Sequence, residues 1–122
     1  MKETYLKIQN IELWARVGVL DKEREFGQLF SLDLVLWSDF EKCALTDDVN
    51  ETIDYSSLIS DIKVHSKNFS CKTIEKYSSE ILNLVVKRYK PTRLEILLTK
   101  CKPPIIGFDG QVTIMKSYER QS

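Results

Sequence analysis

Apolar residues alternate along both ends of this chain and recur at helical spacing only in its middle, a division that few folds satisfy. From Thr4 to Val19 the alternation runs first through Leu6 and Ile8, then through Ile11, Leu13, Ala15, Val17 and Val19, so its phase changes near Gln9-Asn10. Successive side chains of a strand point to opposite faces. Keeping both halves on one face therefore takes one extra residue, and the pattern predicts a long strand with a bulge or bend. A second run, about Gln28 to Phe40, sets Phe30, Leu32, Leu34 and Leu36 against Ser31, Asp33, Val35 and Trp37. The two runs predict an antiparallel hairpin, joined by the charged stretch Leu20 to Gly27.

The middle of the chain changes period. Asp54 can cap a helix over about Tyr55 to Ser66, with Leu58, Ile59 and Ile62 on its apolar side. A second helix, about Thr73 to Tyr89, repeats Ile74, Tyr77, Ile81, Leu84, Val85 and Arg88 at helical spacing, and Pro91 follows its end. Two further strands are predicted near Arg93 to Lys100 and Gln111 to Tyr118. The order β-β-α-α-β-β predicts one α+β domain over residues 1–122, an antiparallel four-stranded sheet with two helices on one face. The other face, carrying Val35 and Trp37, and two unpaired sheet edges would be awkward in a monomer. Assembly answers both problems.

With 122 residues the chain can bury around two thirds of its unfolded surface in a single core. Lys plus Arg and Asp plus Glu number 18 each, so no excess positive field exists to hold a nucleic-acid backbone or an anionic bilayer. No apolar run is long enough to span a membrane, and Met1-Lys2-Glu3-Thr4 lacks the apolar stretch of a secretory signal, so a cytoplasmic protein is expected. The three cysteines, Cys43, Cys71 and Cys101, show no Cys-x-x-Cys spacing and are expected to be reduced thiols. His65 is the single histidine, which leaves too few ligands for a metal site. It falls within a predicted helix as a surface or interface residue.

Four segments carry chemistry: Gly18-Val19-Leu20-Asp21-Lys22-Glu23-Arg24-Glu25-Phe26-Gly27-Gln28; Asp47-Asp48-Val49-Asn50-Glu51-Thr52-Ile53-Asp54-Tyr55; Thr73-Ile74-Glu75-Lys76; and Leu97-Leu98-Thr99-Lys100-Cys101-Lys102-Pro103-Pro104-Ile105-Ile106-Gly107. Proline cannot donate a ladder hydrogen bond, so the last strand but one should stop at the double proline and leave Lys100 at its rim. Alone, each feature has an ordinary explanation. A rim lysine discourages edge-to-edge pairing, Glu75 suits the first turn of a helix, Tyr55 can pack in an interface, and Glu23 can be a solvated loop charge.

In this order and register, over about Tyr5 to Arg120, the four segments resemble dihydroneopterin aldolase of the tunnelling-fold superfamily. The resemblance implies rings of four subunits whose sheets join into a barrel, two rings stacked as an octamer, and active sites between neighbouring subunits. It also implies a substrate, 7,8-dihydroneopterin, cleaved between C1′ and C2′ into 6-hydroxymethyl-7,8-dihydropterin and glycolaldehyde in folate biosynthesis. Residue by residue, it makes Glu75 the carboxylate that anchors the pterin's aminopyrimidinone edge, completed by backbone groups of Ile74. Thr52, Ile53 and Asp54 would wall the pterin, and Tyr55, from the neighbouring subunit, would donate or relay a proton. Glu23 would bind substrate hydroxyls or a catalytic water and could pair with Lys100.

Lys100, directly or through a water, would take the 2′-hydroxyl proton. A lysine does this near neutral pH only if desolvation or nearby positive charge favours its neutral form; Lys102 could help, and Glu23 opposes it. The N5=C6 imine of the substrate accepts the electrons of the breaking bond, so neither a cofactor nor a metal is expected. Re-addition to the other face of glycolaldehyde would give a C2′ epimerase side activity.

Three positions depart from the commonest family pattern: Arg16-Val17 before Gly18, the Cys101-Lys102 spacer before the prolines, and Lys116 at the end of the last strand. They leave substrate preference open. A related enzyme epimerises dihydroneopterin triphosphate at C2′ and would need cations at the pocket mouth, for which Arg16, Lys22, Arg24 and Lys102 are candidates. A non-catalytic, oligomeric pterin-binding domain is the alternative outside enzymology.

Overall fold

In the computed structural model, which describes residues 4–121, the change of phase in the first strand is a β-bulge. Met1–Glu3, most of the segment used to argue against a secretory signal, lie outside the described residues. Strand β1 (Tyr5–Val17) pairs antiparallel with β2 (Gln28–Trp37), Ile8 facing Leu34 and Ile11 facing Leu32, so one extra residue is held on β1. Asn10 takes the left-handed conformation this requires, at φ 57°. Its N–H donates to Asp33 Oδ1 at 2.7 Å, and its side-chain oxygen accepts from Ser31 Oγ at 2.8 Å. The bulge thus returns Ile11, Leu13, Ala15 and Val17 to the face that holds Leu6 and Ile8.

Three elements follow that alternation and helical period do not reveal. The charged connection is a short helix α1 (Asp21–Phe26), and after β2 come α2 (Glu41–Thr46) and a 3-10 turn over Val49–Glu51. The first two strands are correspondingly shorter than expected, ending at Val17 and Trp37.

The two predicted helices are α3 (Tyr55–Lys67) and α4 (Ile74–Tyr89). Asp54 caps α3 by accepting from Ser57 N–H at 3.1 Å, and Thr73 caps α4 by accepting from Lys76 N–H at 3.1 Å. Lys90 closes α4 in the left-handed conformation just before Pro91. The helices bury Leu58, Ile62, Tyr77, Ile81 and Val85, whereas Arg88 lies outside the apolar stripe and pairs with Asp61 of α3 at 3.2 Å.

The sheet is completed by β3 (Ser70–Cys71), β4 (Arg93–Lys100) and β5 (Val112–Glu119) in the order β3-β1-β2-β4-β5. This corrects the expectation of a four-stranded, wholly antiparallel sheet. Its four long strands are antiparallel, but β3 adds a fifth strand, parallel to β1 at Arg16 and Val17. Two residues are too few to show an alternation, so β3 is silent in the pattern. Its pairing is extended by Gly18 N–H, which donates to Cys71 O at 3.0 Å.

Across the central ladder Leu32, Leu34 and Leu36 of β2 face Leu98, Ile96 and Leu94 of β4, and all six are fully buried in the core shared with α3 and α4. Each such side chain contributes about 1.5–3 kcal/mol relative to exposure. On the opposite face Val35 and Trp37 are half-buried, Arg93 stacks 4.7 Å above the Trp37 ring, and Trp14 and Met115 are exposed. Among the described residues no helix is long and apolar enough to cross a membrane.

Candidate active site

Lys100 occupies the position in β4 where the buried series Leu94, Ile96, Leu98 would place its next side chain. It pairs with Phe30 on one side and Val112 on the other, and β4 ends there, as the double proline predicts. The lysine therefore emerges from the end of the core with its side chain only 16% exposed. Facing it is Glu23 of α1, 8% exposed, whose Oε2 lies 2.5 Å from Lys100 Nζ.

Glu23 is held on every side. Its Oε1 accepts from Leu20 N–H at 3.0 Å, and its Oε2 accepts from Gln28 Nε2 at 2.7 Å as well as from Lys100. Beneath it runs Gly18, where a Cβ would fall 2.3 Å from the Glu23 carboxyl carbon, so the carboxylate can fold back only over a glycine. Burial alone would raise the carboxyl's pKa. The hydrogen bonds from Lys100, Gln28 and Leu20 N–H outweigh burial and hold it below the usual glutamate value. Arg24, next on α1, ties the turn together through Gly18 O and Val19 O at 2.7 Å each and Asp21 at 2.5 Å.

Glu23 and Lys100 line one wall of a cleft of about 540 Å³. Ile74 and Glu75, in the first turn of α4, line it too, together with Lys72, Thr73, Val19, Leu20, Val112 and the segment Pro103-Pro104-Ile105. The Glu75 carboxylate is exposed and has no hydrogen-bond or ion-pair partner among the described residues. A helix start supplies unpaired backbone N–H groups beside it. The cleft therefore combines a free carboxylate, an amine–carboxylate pair and apolar walls, a set suited to a flat heterocycle with several N–H donors.

The remaining residues singled out in the sequence are elsewhere. Tyr55 opens α3 and is 56% exposed, Asp54 is engaged in capping, Ile53 is buried in the core, and Thr52 is exposed; none lines this cleft within one chain. His65 stacks on Phe69 at 5.3 Å and has Nε2 3.7 Å from Glu80. Among the described residues no group of three His, Cys, Asp or Glu side chains converges as metal ligands would. Two residues of the site, Gly18 and Gln28, carry no role in the sequence reading. Their signal is the Gly-Val and Gly-Gln pairs bracketing the charged stretch, which have no meaning until Glu23 is seen between them.

The family model for dihydroneopterin aldolase (FolB) matches residues 6–115. A protein of Synechocystis sp. named a probable dihydroneopterin aldolase is 32% identical over 109 residues, covering 89% of this chain and 92% of that protein. The dihydroneopterin aldolase of Bacillus subtilis is 29% identical over 108 residues, covering 88% and 90%. Among solved structures, Escherichia coli dihydroneopterin aldolase in complex with neopterin superposes with a TM-score of 0.85 at 21% identity, covering 94% of this chain and 98% of that one.

Proposed function

Because the chain belongs to the dihydroneopterin aldolase family, we propose that its cleft performs the family's reaction, cleavage of 7,8-dihydroneopterin into 6-hydroxymethyl-7,8-dihydropterin and glycolaldehyde in folate biosynthesis, with the residues named above. The observation that carries the assignment of roles is the meeting of Glu75, Glu23 and Lys100 on one cleft. The neopterin bound to the E. coli structural neighbour supports a pterin as the occupant.

Glu75 accepts two parallel N–H bonds from the aminopyrimidinone edge, and backbone groups at Ile74 complete that edge. So anchored, the ring directs its trihydroxypropyl side chain towards the Lys100–Glu23 end. Lys100, directly or through a water, takes the 2′-hydroxyl proton. The C2′–O bond becomes a carbonyl as C1′–C2′ breaks, and the electron pair passes through C1′ into the N5=C6 imine. Glycolaldehyde leaves, and C1′ of the enol-like intermediate is then protonated by Tyr55 of the partner subunit or a water it positions. Thr52, Ile53 and Asp54 of the partner subunit help to wall the ring. No metal or cofactor is needed, since the substrate's imine is the electron sink.

The shared site presumes the ring assembly, two stacked tetramers working in the cytoplasm. Supporting it, β5 and most of β1 are sheet edges, and Tyr5, Trp14, Tyr55 and Met115 are exposed. Co-expression of Lys100→Ala with Tyr55→Phe tests it. About a quarter of the sites in mixed rings would then combine two intact residues, so activity returns above that of either variant alone; no recovery in rings shown to be mixed contradicts the shared site.

The triphosphate epimerase reading is weaker. Of its four candidate cations, Arg24 is consumed by three hydrogen bonds, Arg16 lines a different groove, beside Lys63 and Lys67, and Lys22 and Lys102 do not line the cleft. Assay of both substrates with one preparation separates them. Glycolaldehyde release from dihydroneopterin is expected, with C2′ epimerisation as a side reaction. Clean epimerisation of the triphosphate without cleavage would reverse the assignment.

A further inference from the structure

We propose that Gln28 is a positioning residue for this reaction: its carboxamide holds Glu23 Oε2 where that oxygen engages Lys100. The inference rests on the roles just proposed and deepens them. Gln28 is the first residue of β2, opposite Ala15 of β1. Its Nε2 donates one hydrogen to Val17 O and the other to Glu23 Oε2, each at 2.7 Å. Both partners are pure acceptors, so the amide has one sensible orientation; turned over, its oxygen would face two oxygens.

Val17 O belongs to the end of β1 and is fixed by the sheet, whereas Glu23 rides on a helix of six residues. Gln28 thus links the end of a strand of the sheet directly to a side chain on a short helix. The terminal torsion of a glutamate is broad, so without this donor Oε2 is left to Lys100 alone while Leu20 N–H still holds Oε1, and the direction of Oε2 is less tightly set. Gln28 also shares the charge on Oε2 with Lys100. Oε2 thus accepts two donors at once, one neutral and one charged.

The other groups around Glu23 do not duplicate this function. Among the described residues, Lys100 is the side chain of β4 that reaches it, and just past the end of β1 the backbone of Gly18 approaches. Lys72 and Glu75 line the same cleft at the start of α4, and Arg24 of α1 is turned towards Gly18 O and Val19 O. Leu20 N–H holds the other carboxylate oxygen.

Gln28→Met keeps the length and removes the donor; Gln28→Asn is too short to reach both acceptors and serves as the second variant. The Glu23 carboxyl carbon is followed by NMR titration in the resting protein, alongside kcat, KM and thermal unfolding. The titration midpoint of Glu23 is expected to move to higher pH in both variants, and kcat to fall about tenfold with the acid limb of its pH profile moving the same way. KM should stay within about twofold. An unmoved midpoint with a lowered unfolding temperature would mean that Gln28 only packs, and would overturn the proposal. The titration needs no substrate, so it fails or succeeds independently of wild-type cleavage, which tests the underlying reaction.

Discussion

Replacing Lys100 with alanine lowers kcat about a thousandfold and leaves KM for 7,8-dihydroneopterin within about threefold, as removal of a positioned proton-transfer group does. In the proposed mechanism the pterin ring is anchored at Glu75, on the same cleft but apart from the Lys100–Glu23 pair, so ground-state binding should survive while the 2′-hydroxyl loses its proton acceptor. Steady-state kinetics of the variant check this, and cleavage at the wild-type rate would remove Lys100 from the mechanism. A second consequence concerns stability. Burial, the strongest single influence on the Glu23 carboxyl, pushes its pKa up, but the donors Lys100, Gln28 and Leu20 N–H together hold it below the usual value of 4.5. The folded protein therefore binds fewer protons than the unfolded chain near that pH. The stabilisation from Glu23 is present above the usual carboxylate value and is lost as pH falls through it towards the folded-state pKa. Lys100→Ala removes part of that pH dependence, and urea unfolding between about pH 7 and pH 3 reads the difference.

Glu75→Ala weakens binding of neopterin about a hundredfold or more. Two hydrogen bonds to a charged carboxylate are lost, each about 1.5–3 kcal/mol, and about 3 kcal/mol corresponds to a factor of more than a hundred. Titration calorimetry measures the change directly. The ordinary role of a first-turn glutamate predicts something different. In that case substitution costs helix stability of about 0.3–1 kcal/mol and leaves neopterin affinity alone. Glu75 is exposed and has no partner among the described residues, so its substitution leaves no unsatisfied buried group to confuse the outcome. Unchanged affinity with a slightly less stable protein would return Glu75 to helix capping and leave the pterin without its proposed anchor.

Much of the architecture is legible in the sequence because periodic burial is a strong signal over long elements. The bulge at Asn10 is visible as a change from even to odd apolar positions, and Asp54 and the double proline mark a helix start and a strand end that the structure places within a residue. Short elements are not legible. A strand of two residues such as β3 has no period, and α1 looks like a charged loop because its one buried side chain, Glu23, is polar. That exception is the site itself, where a carboxylate is buried for its partners rather than for its hydrophobicity.

The site is legible only in its parts. Lys100, Glu23 and Glu75 stand far apart in the chain, and only the return of β4 alongside β2 and the docking of α1 bring the first two to 2.5 Å. Gln28 is marked in the sequence only as part of the Gly-Gln pair that closes the charged stretch, because its function depends on a backbone carbonyl eleven residues earlier. Tyr55 shows the complementary case. Its position on α3 follows from the Asp54 cap, yet within a single chain it lines no part of the cleft it is proposed to serve, and an apolar outer face that points to assembly does not tell which residues would meet across copies.

The most direct test of the account is product analysis after incubating the purified protein with 7,8-dihydroneopterin and a strong chelator. Glycolaldehyde and 6-hydroxymethyl-7,8-dihydropterin in equal amounts, formed at the rate seen without chelator, are the predicted result. Cleavage abolished by the chelator and restored by added metal would contradict a mechanism in which the substrate's own imine takes up the electrons.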